Sequence, residues 1–156
     1  MSFWLLVALQ WLHVLGGIFW FGGSLFGLSV LAPVLQGLSP QAQRDVTKPL
    51  ARQADRVVLP VAVMTILLGA ARGIANGVLS ELGTAYGITW LAALVLGVGL
   101  IVWAFRVVVP ATRALQEMEA GPGYQAAFRR TITIAMVELA TFFVLFSLMI
   151  AMRFGY

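Results

Sequence analysis

The sequence contains no cysteine and only one histidine, His13, among its 156 residues. The lack of cysteine excludes disulfide bonds, thiolate metal sites, iron–sulfur clusters, cysteine nucleophiles and covalently attached c-type haem. Asp, Glu, Lys and Arg together make up only 10% of the chain, whereas a soluble domain has about 25%. The chain therefore cannot cover itself with a hydrated surface, and the sequence predicts an integral membrane protein.

Apolar residues dominate what remains, at 61% of the chain, and the mean hydropathy is +0.95. Four apolar stretches predict transmembrane helices at residues 3–35, 56–75, 88–109 and 131–152, because about 20 such residues cross a bilayer. Helices are expected because open strands leave backbone groups without hydrogen bonds in lipid. The predicted fold class is all-α, with one transmembrane domain that forms an integral membrane four-helix bundle.

The basic residues predict the orientation of this bundle. They cluster in two of the three predicted connections, with Arg44, Lys48 and Arg52 in the first and Arg113, Arg129 and Arg130 in the third. The positive-inside rule places these two connections in the cytoplasm, and both termini and the middle connection on the outer side. The basic residues of these two connections then account for the net charge of +4, and no nucleic-acid partner is expected. Pro33 and Pro110 end the first and third spans alike, which indicates a weak repeat of two hairpins.

Helical spacing aligns His13 with several small residues in the first span. His13, Gly16, Gly17 and Trp20 share one face. One interpretation is a small-residue seam for close helix packing. The other is space for a flat cofactor beside a histidine ligand, because ionisable groups inside membranes are costly and usually functional. Since imidazole is a common ligand of haem iron, the sequence favours His13 as an axial haem ligand with Gly16, Gly17 and Trp20 at the cofactor.

Two residues of the second span are candidates to complete a haem site. Met64 is expected at the depth of His13, about 15 Å below the outer boundary at 1.5 Å per residue, and thioethers serve as axial ligands. The alternative second ligand is His13 of another copy, in a homodimer. Arg72 lies about two turns nearer the outside, where it could bind haem propionates or lipid headgroups.

The fourth span carries a carboxyl group and a methionine pair. Glu138 is expected near mid-membrane, where it either forms an ion pair with Arg106 or acts as a proton carrier beside a redox site. Met149 and Met152 share one helical face near the outer end. Thioethers favour Cu(I), although two methionines in an apolar helix also serve as ordinary packing.

Residues 12–26, LHVLGGIFWFGGSLF, resemble the first helix of two families of small bacterial membrane proteins. Both the CopD-like copper-resistance domain and the HemJ-type protoporphyrinogen oxidases have an L-H-x…W-x-x-G pattern there. His13 takes the position of the family histidine, which in the HemJ type is associated with b-type haem, and Trp20 and Gly23 take the other matched positions. The resemblance implies a multi-pass protein of the bacterial inner membrane.

Three functional hypotheses follow. The first is a b-type haem protein, with electron transfer or redox chemistry on a quinone or porphyrin as a haem-dependent oxidoreductase. The second is copper transport or tolerance, as the CopD-like resemblance implies, through His13, Met64, Met149 and Met152. The third is a structural accessory subunit without a cofactor.

Overall fold

The computed structural model of the protein describes residues 3–156, and within this range it is helical with no β-strand. Four long helices account for nearly all of it: α1 Phe3–Gln36, α2 Pro40–Ala75, α3 Ala85–Glu117 and α4 Pro122–Arg153. All four are long and apolar enough to cross a membrane. The prediction of an all-α protein with four helices able to span a membrane is therefore confirmed.

The helices extend well beyond the apolar spans at the basic end of the molecule. The predicted connections at 36–55 and 110–130 are mostly helical, and only residues 37–39 and 118–121 separate the helices there. At the first turn, Ser39 caps α2 by accepting a hydrogen bond from the Ala42 amide at 3.4 Å, and Pro40 occupies the first helical position. The 36 residues of α2 measure about 54 Å, whereas the hydrocarbon core is about 30 Å thick. The extension must therefore project past the hydrocarbon.

A separate small core holds these extensions together. It consists of Leu35, Leu115, Tyr124 and Phe128, contributed by α1, α3 and α4. Arg44 of α2 adds a hydrogen bond from its Nε to the Met118 carbonyl oxygen at 2.7 Å. These contacts explain why charged segments that hydropathy reads as loops fold as helix.

Proline produces the same irregularity in α1 and α3. A π-helical segment, Gly27–Leu31 in α1 and Ala104–Val108 in α3, ends two residues before a proline in each helix. Proline lacks an amide proton and collides with the carbonyl of the preceding turn, so a wider turn relieves the clash. The two hairpins therefore share a plan.

The repeat also relates positions nearer the end of the molecule that is opposite the basic helix extensions. The same 20 residues separate His13 from Pro33 and Trp90 from Pro110. His13 of the first hairpin and Trp90 of the second thus occupy equivalent positions, and both face the cavity described below.

Packing is closest within each hairpin, α1 against α2 and α3 against α4. The two hairpins meet at the main core of Trp20, Ala62, Ala93, Leu100, Phe142 and Leu145. Gly16 allows the close approach of α1 to α2, because a Cβ at this position would overlap Oγ1 of Thr65. The seam interpretation therefore applies at Gly16 but not at Gly17, where a Cβ would meet nothing within 4 Å.

Candidate ligand site at His13

A cavity of about 170 Å³ lies between the two hairpins and receives side chains from all four helices. Its wall is mostly aliphatic and aromatic. The side chains in it that carry nitrogen or sulfur are His13, Trp20, Trp90, Met149 and Met152. An apolar wall with a few converging heteroatoms is typical of small-ligand sites.

The His13 ring is oriented by α2. Its Nδ1 lies 2.8 Å from the backbone carbonyl oxygen of Thr65. A carbonyl oxygen only accepts, so Nδ1 carries the proton and, in the neutral ring, Nε2 keeps a free lone pair. The Thr65 hydroxyl does not compete for the ring, because it donates to the Val61 carbonyl at 2.8 Å.

Gly69 provides the space that the His13 ring occupies. A Cβ on Gly69 would lie 2.6 Å from His13 Cε1 and 2.9 Å from Nδ1. Metal-ligating histidines generally donate their second nitrogen to a carbonyl or carboxylate, which fixes the ring and its tautomer. The hydrogen bond of His13 to the Thr65 carbonyl has this form, and the ring borders the cavity.

The structure brings His13 together with Met149 and Met152, which border the same cavity from α4. Both methionines are partly buried against the main core. Met64 is not part of this group: it does not border the cavity, and 53% of its surface is exposed. The inward side of α2 at this level is taken by Ala62 and Thr65, which are both buried. The expected axial pair of His13 and Met64 is therefore not assembled.

Arg72, Gly16 and Gly17 have different surroundings. Gly17 borders the cavity, whereas Gly16 is occupied by its contact with Thr65. Arg72 is partly buried and does not border the cavity, and its buried Nε has no hydrogen-bond partner among residues 3–156. Only Gly17 and Trp20 of the residues proposed to surround a cofactor thus accompany His13 at the cavity.

Glu138 has a partner that the sequence did not predict. Trp20 Nε1 donates a hydrogen bond to Glu138 Oε1 at 3.3 Å, and the Trp20 ring packs edge-on against Phe142 with centroids 4.7 Å apart. Arg106 is exposed, and within residues 3–156 it forms no ion pair with Glu138. A carboxyl group within a membrane span needs such a contact, because leaving a polar group unpaired in hydrocarbon is costly. Trp20 thus links the cavity wall to the carboxyl group of α4.

The volume of the cavity limits what it can hold. An engineered protein cavity of about 150 Å³ binds one benzene ring, and the His13 cavity of about 170 Å³ is of the same size. A porphyrin has four pyrrole rings in one rigid macrocycle and is larger than this volume. A metal ion or a single ring does fit.

The donor set limits the chemistry as well. Among residues 3–156, no three His, Cys, Asp or Glu side chains come together as a metal site. A metal at His13 would therefore depend on thioethers for its remaining protein ligands. This combination of imidazole and thioether suits Cu(I) and is a poor match for hard cations.

No protein-family model, curated protein or solved structure matches this chain. The resemblance of residues 12–26 to the CopD-like and HemJ-type families therefore stays a prediction, as does the haem.

Proposed function

We propose that the protein binds Cu(I) in the His13 cavity and serves in copper transport or tolerance. The observation that carries the proposal is that the sole imidazole of the chain and two methionines of α4 border one apolar cavity. Imidazole and thioether are ligands suited to Cu(I), and the ion requires no carboxylate. Copper is the cargo in this proposal.

The orientation of the imidazole supports the proposal. The hydrogen bond to the Thr65 carbonyl leaves Nε2 as the free nitrogen, and an ion needs no separation of the helices in a cavity of about 170 Å³. The ring is held before the ion arrives, so little ordering of His13 is required on binding.

The proposed topology places this site on the route from outside the cell. With the basic helix extensions in the cytoplasm, both termini lie on the outer side of a bacterial inner membrane. His13 lies ten residues along α1 from Phe3, or about 15 Å from the outer end of the helix. Copper would then enter the bundle between the outer ends of the helices.

A b-type haem is the second candidate, and the free Nε2 of His13 is the observation that favours it. Haem iron accepts an imidazole in this form, and the resulting protein would perform redox chemistry with a quinone or porphyrin. The porphyrin would extend beyond the cavity of about 170 Å³ or would require the two hairpins to move apart.

Metal analysis of the detergent-purified protein tests both candidates. After loading with Cu(I) under reducing conditions, the wild type should retain about one copper per chain. The variant His13→Ala should lose it, and the double variant Met149→Leu with Met152→Leu should bind more weakly. Met64→Leu is the matched control, because Met64 lies away from the cavity, and should bind as the wild type does.

Three other results would contradict the copper proposal. A Soret band that disappears in His13→Ala, without stoichiometric copper, would establish the haem candidate. A colourless, metal-free protein that is indifferent to His13→Ala would point to a structural accessory subunit. Copper binding that survives the loss of His13 would place the ion elsewhere.

A further inference from the structure

A second cavity, of about 320 Å³, lies between α2 and α3 on the side of the basic helix extensions. We call it the α2–α3 groove. It is lined by Asp55, Leu59, Phe105, Val109, Pro110 and Arg113. It shares no lining residue with the His13 cavity, so a ligand in it would not use the residues proposed to bind copper or haem.

The irregular segment of α3 shapes this groove. Phe105 belongs to the π-helical turn Ala104–Val108, and Pro110 follows directly after Val109. Proline and π turns redirect a helix locally. Phe105 has 50% of its surface exposed, so its ring remains available on the wall of the groove.

The groove holds one carboxylate and one guanidinium that are near each other but not in direct contact. Arg113 is near enough to act electrostatically on Asp55. Within residues 3–156, however, the two side chains form no ion pair at 4.0 Å or less. Asp55 is partly buried and Arg113 is exposed. An incoming group can therefore contact both charges.

The charges and the apolar wall lie at different depths. Asp55 is four residues from Leu59 on α2, and Arg113 is four residues from Val109 on α3, so each charge lies about 6 Å along its helix from an apolar residue of the groove. Leu59 and Phe105 lie within the apolar spans 56–75 and 88–109, at the hydrocarbon end of the groove. The headgroup layer of a bilayer is about 5–7 Å thick on each side. Asp55 and Arg113 are thus placed at or just beyond the level of lipid headgroups.

We propose that the α2–α3 groove binds a zwitterionic phospholipid with a primary ammonium group, of the phosphatidylethanolamine class. Arg113 contacts the phosphate, Asp55 accepts hydrogen bonds from the ammonium, and Leu59 and Phe105 contact an acyl chain. A phosphatidylglycerol has glycerol hydroxyls in place of the ammonium, so it offers Asp55 only neutral hydrogen-bond donors, which form weaker bonds to a carboxylate. A phosphatidylcholine has a cation without N–H donors, so it cannot hydrogen bond to Asp55.

Native mass spectrometry of the full-length protein tests this. The detergent-purified protein is offered an equimolar mixture of phosphatidylethanolamine, phosphatidylcholine and phosphatidylglycerol with identical acyl chains. The wild type should retain phosphatidylethanolamine about tenfold over each of the others, as expected for one charge-assisted hydrogen bond. Asp55→Asn should remove the preference over phosphatidylglycerol, and Arg113→Gln should weaken phosphatidylethanolamine binding about tenfold.

Arg129→Gln is the control, because Arg129 is an exposed arginine of the same basic region that lies outside the groove. It should leave the lipid ranking unchanged. Equal retention of the three lipids by the wild type, or a preference for phosphatidylglycerol, would overturn the proposal, as would an equal effect of Arg129→Gln. The wild-type ranking can overturn the proposal even if a variant fails to fold. Asp55→Glu, which keeps the charge, should retain the preference.

Discussion

Replacing Gly69 by alanine is the sharpest test of how His13 is held. The new Cβ would lie 2.6 Å from Cε1 and 2.9 Å from Nδ1 of the His13 ring. Real Cβ contacts are almost never shorter than 3.0 Å, so the ring must move away from α2. The movement breaks the hydrogen bond between Nδ1 and the Thr65 carbonyl, which is 2.8 Å long in the native protein.

Two effects set the size of the expected change. Loss of the partner that orients a metal-ligating histidine lowers metal affinity about 10- to 100-fold. Cu(I) affinity of Gly69→Ala should therefore fall by about that factor. Crowding a packed interface costs about 1–3 kcal/mol, and alanine recovers about 1 kcal/mol of helix propensity over glycine. The lost hydrogen bond costs about 1 kcal/mol more, so the free energy of unfolding should decrease by no more than about 3 kcal/mol, and the variant should fold.

A competition titration against a chromophoric Cu(I) chelator in detergent measures the affinity. Gly22→Ala is the matched control, because it makes the same change in α1 at a position where a Cβ meets nothing within 4 Å. It should bind copper as the wild type does. Wild-type affinity in Gly69→Ala would refute the conclusion that contact with α2 prepares His13 for a ligand.

Two further perturbations test other parts of the account. Trp20→Phe keeps most of the apolar packing but removes the hydrogen bond to Glu138. The free energy of unfolding, measured by denaturation followed with circular dichroism, should fall by about 1–3 kcal/mol. An unchanged free energy of unfolding would mean that this hydrogen bond does not stabilise the fold. Because the chain has no cysteine, single cysteines can be introduced to test its topology. Ser80→Cys should react with a membrane-impermeant maleimide in intact cells, whereas Gln41→Cys should react only after the membrane is opened. The reverse pattern would show that the proposed orientation is inverted.

Composition predicted the membrane-spanning helices because it measures what must face lipid. It did not predict where the helices end at the basic side. The polar segment that begins at Pro40 has no apolar run, yet it is helical because Ser39 caps it and Arg44 bonds to the Met118 carbonyl. Hydropathy predicts where the chain leaves the hydrocarbon, and a helix can continue beyond that point.

The candidate site was predictable as far as His13, since one imidazole inside an apolar span is conspicuous. Its contacts were not, because they depend on how α2 is rotated. Counting residues predicted that Met64 is level with His13, and the neighbouring Thr65 does contact the ring. Neighbouring residues on a helix, however, point about 100° apart. Thr65 faces α1, and Met64 consequently does not. The prediction of Arg106 as a partner of Glu138 also used depth alone and took no account of how the helices are rotated.

X-ray absorption at the copper edge of the Cu(I)-loaded protein tests the central claim most directly, because it identifies the atoms bound to the ion. Imidazole nitrogen and thioether sulfur should both be present in the first coordination shell. The nitrogen contribution should vanish in His13→Ala, and the sulfur contribution should vanish in the Met149→Leu, Met152→Leu double variant. A shell without sulfur, or sulfur that persists in the double variant, would contradict the proposed site.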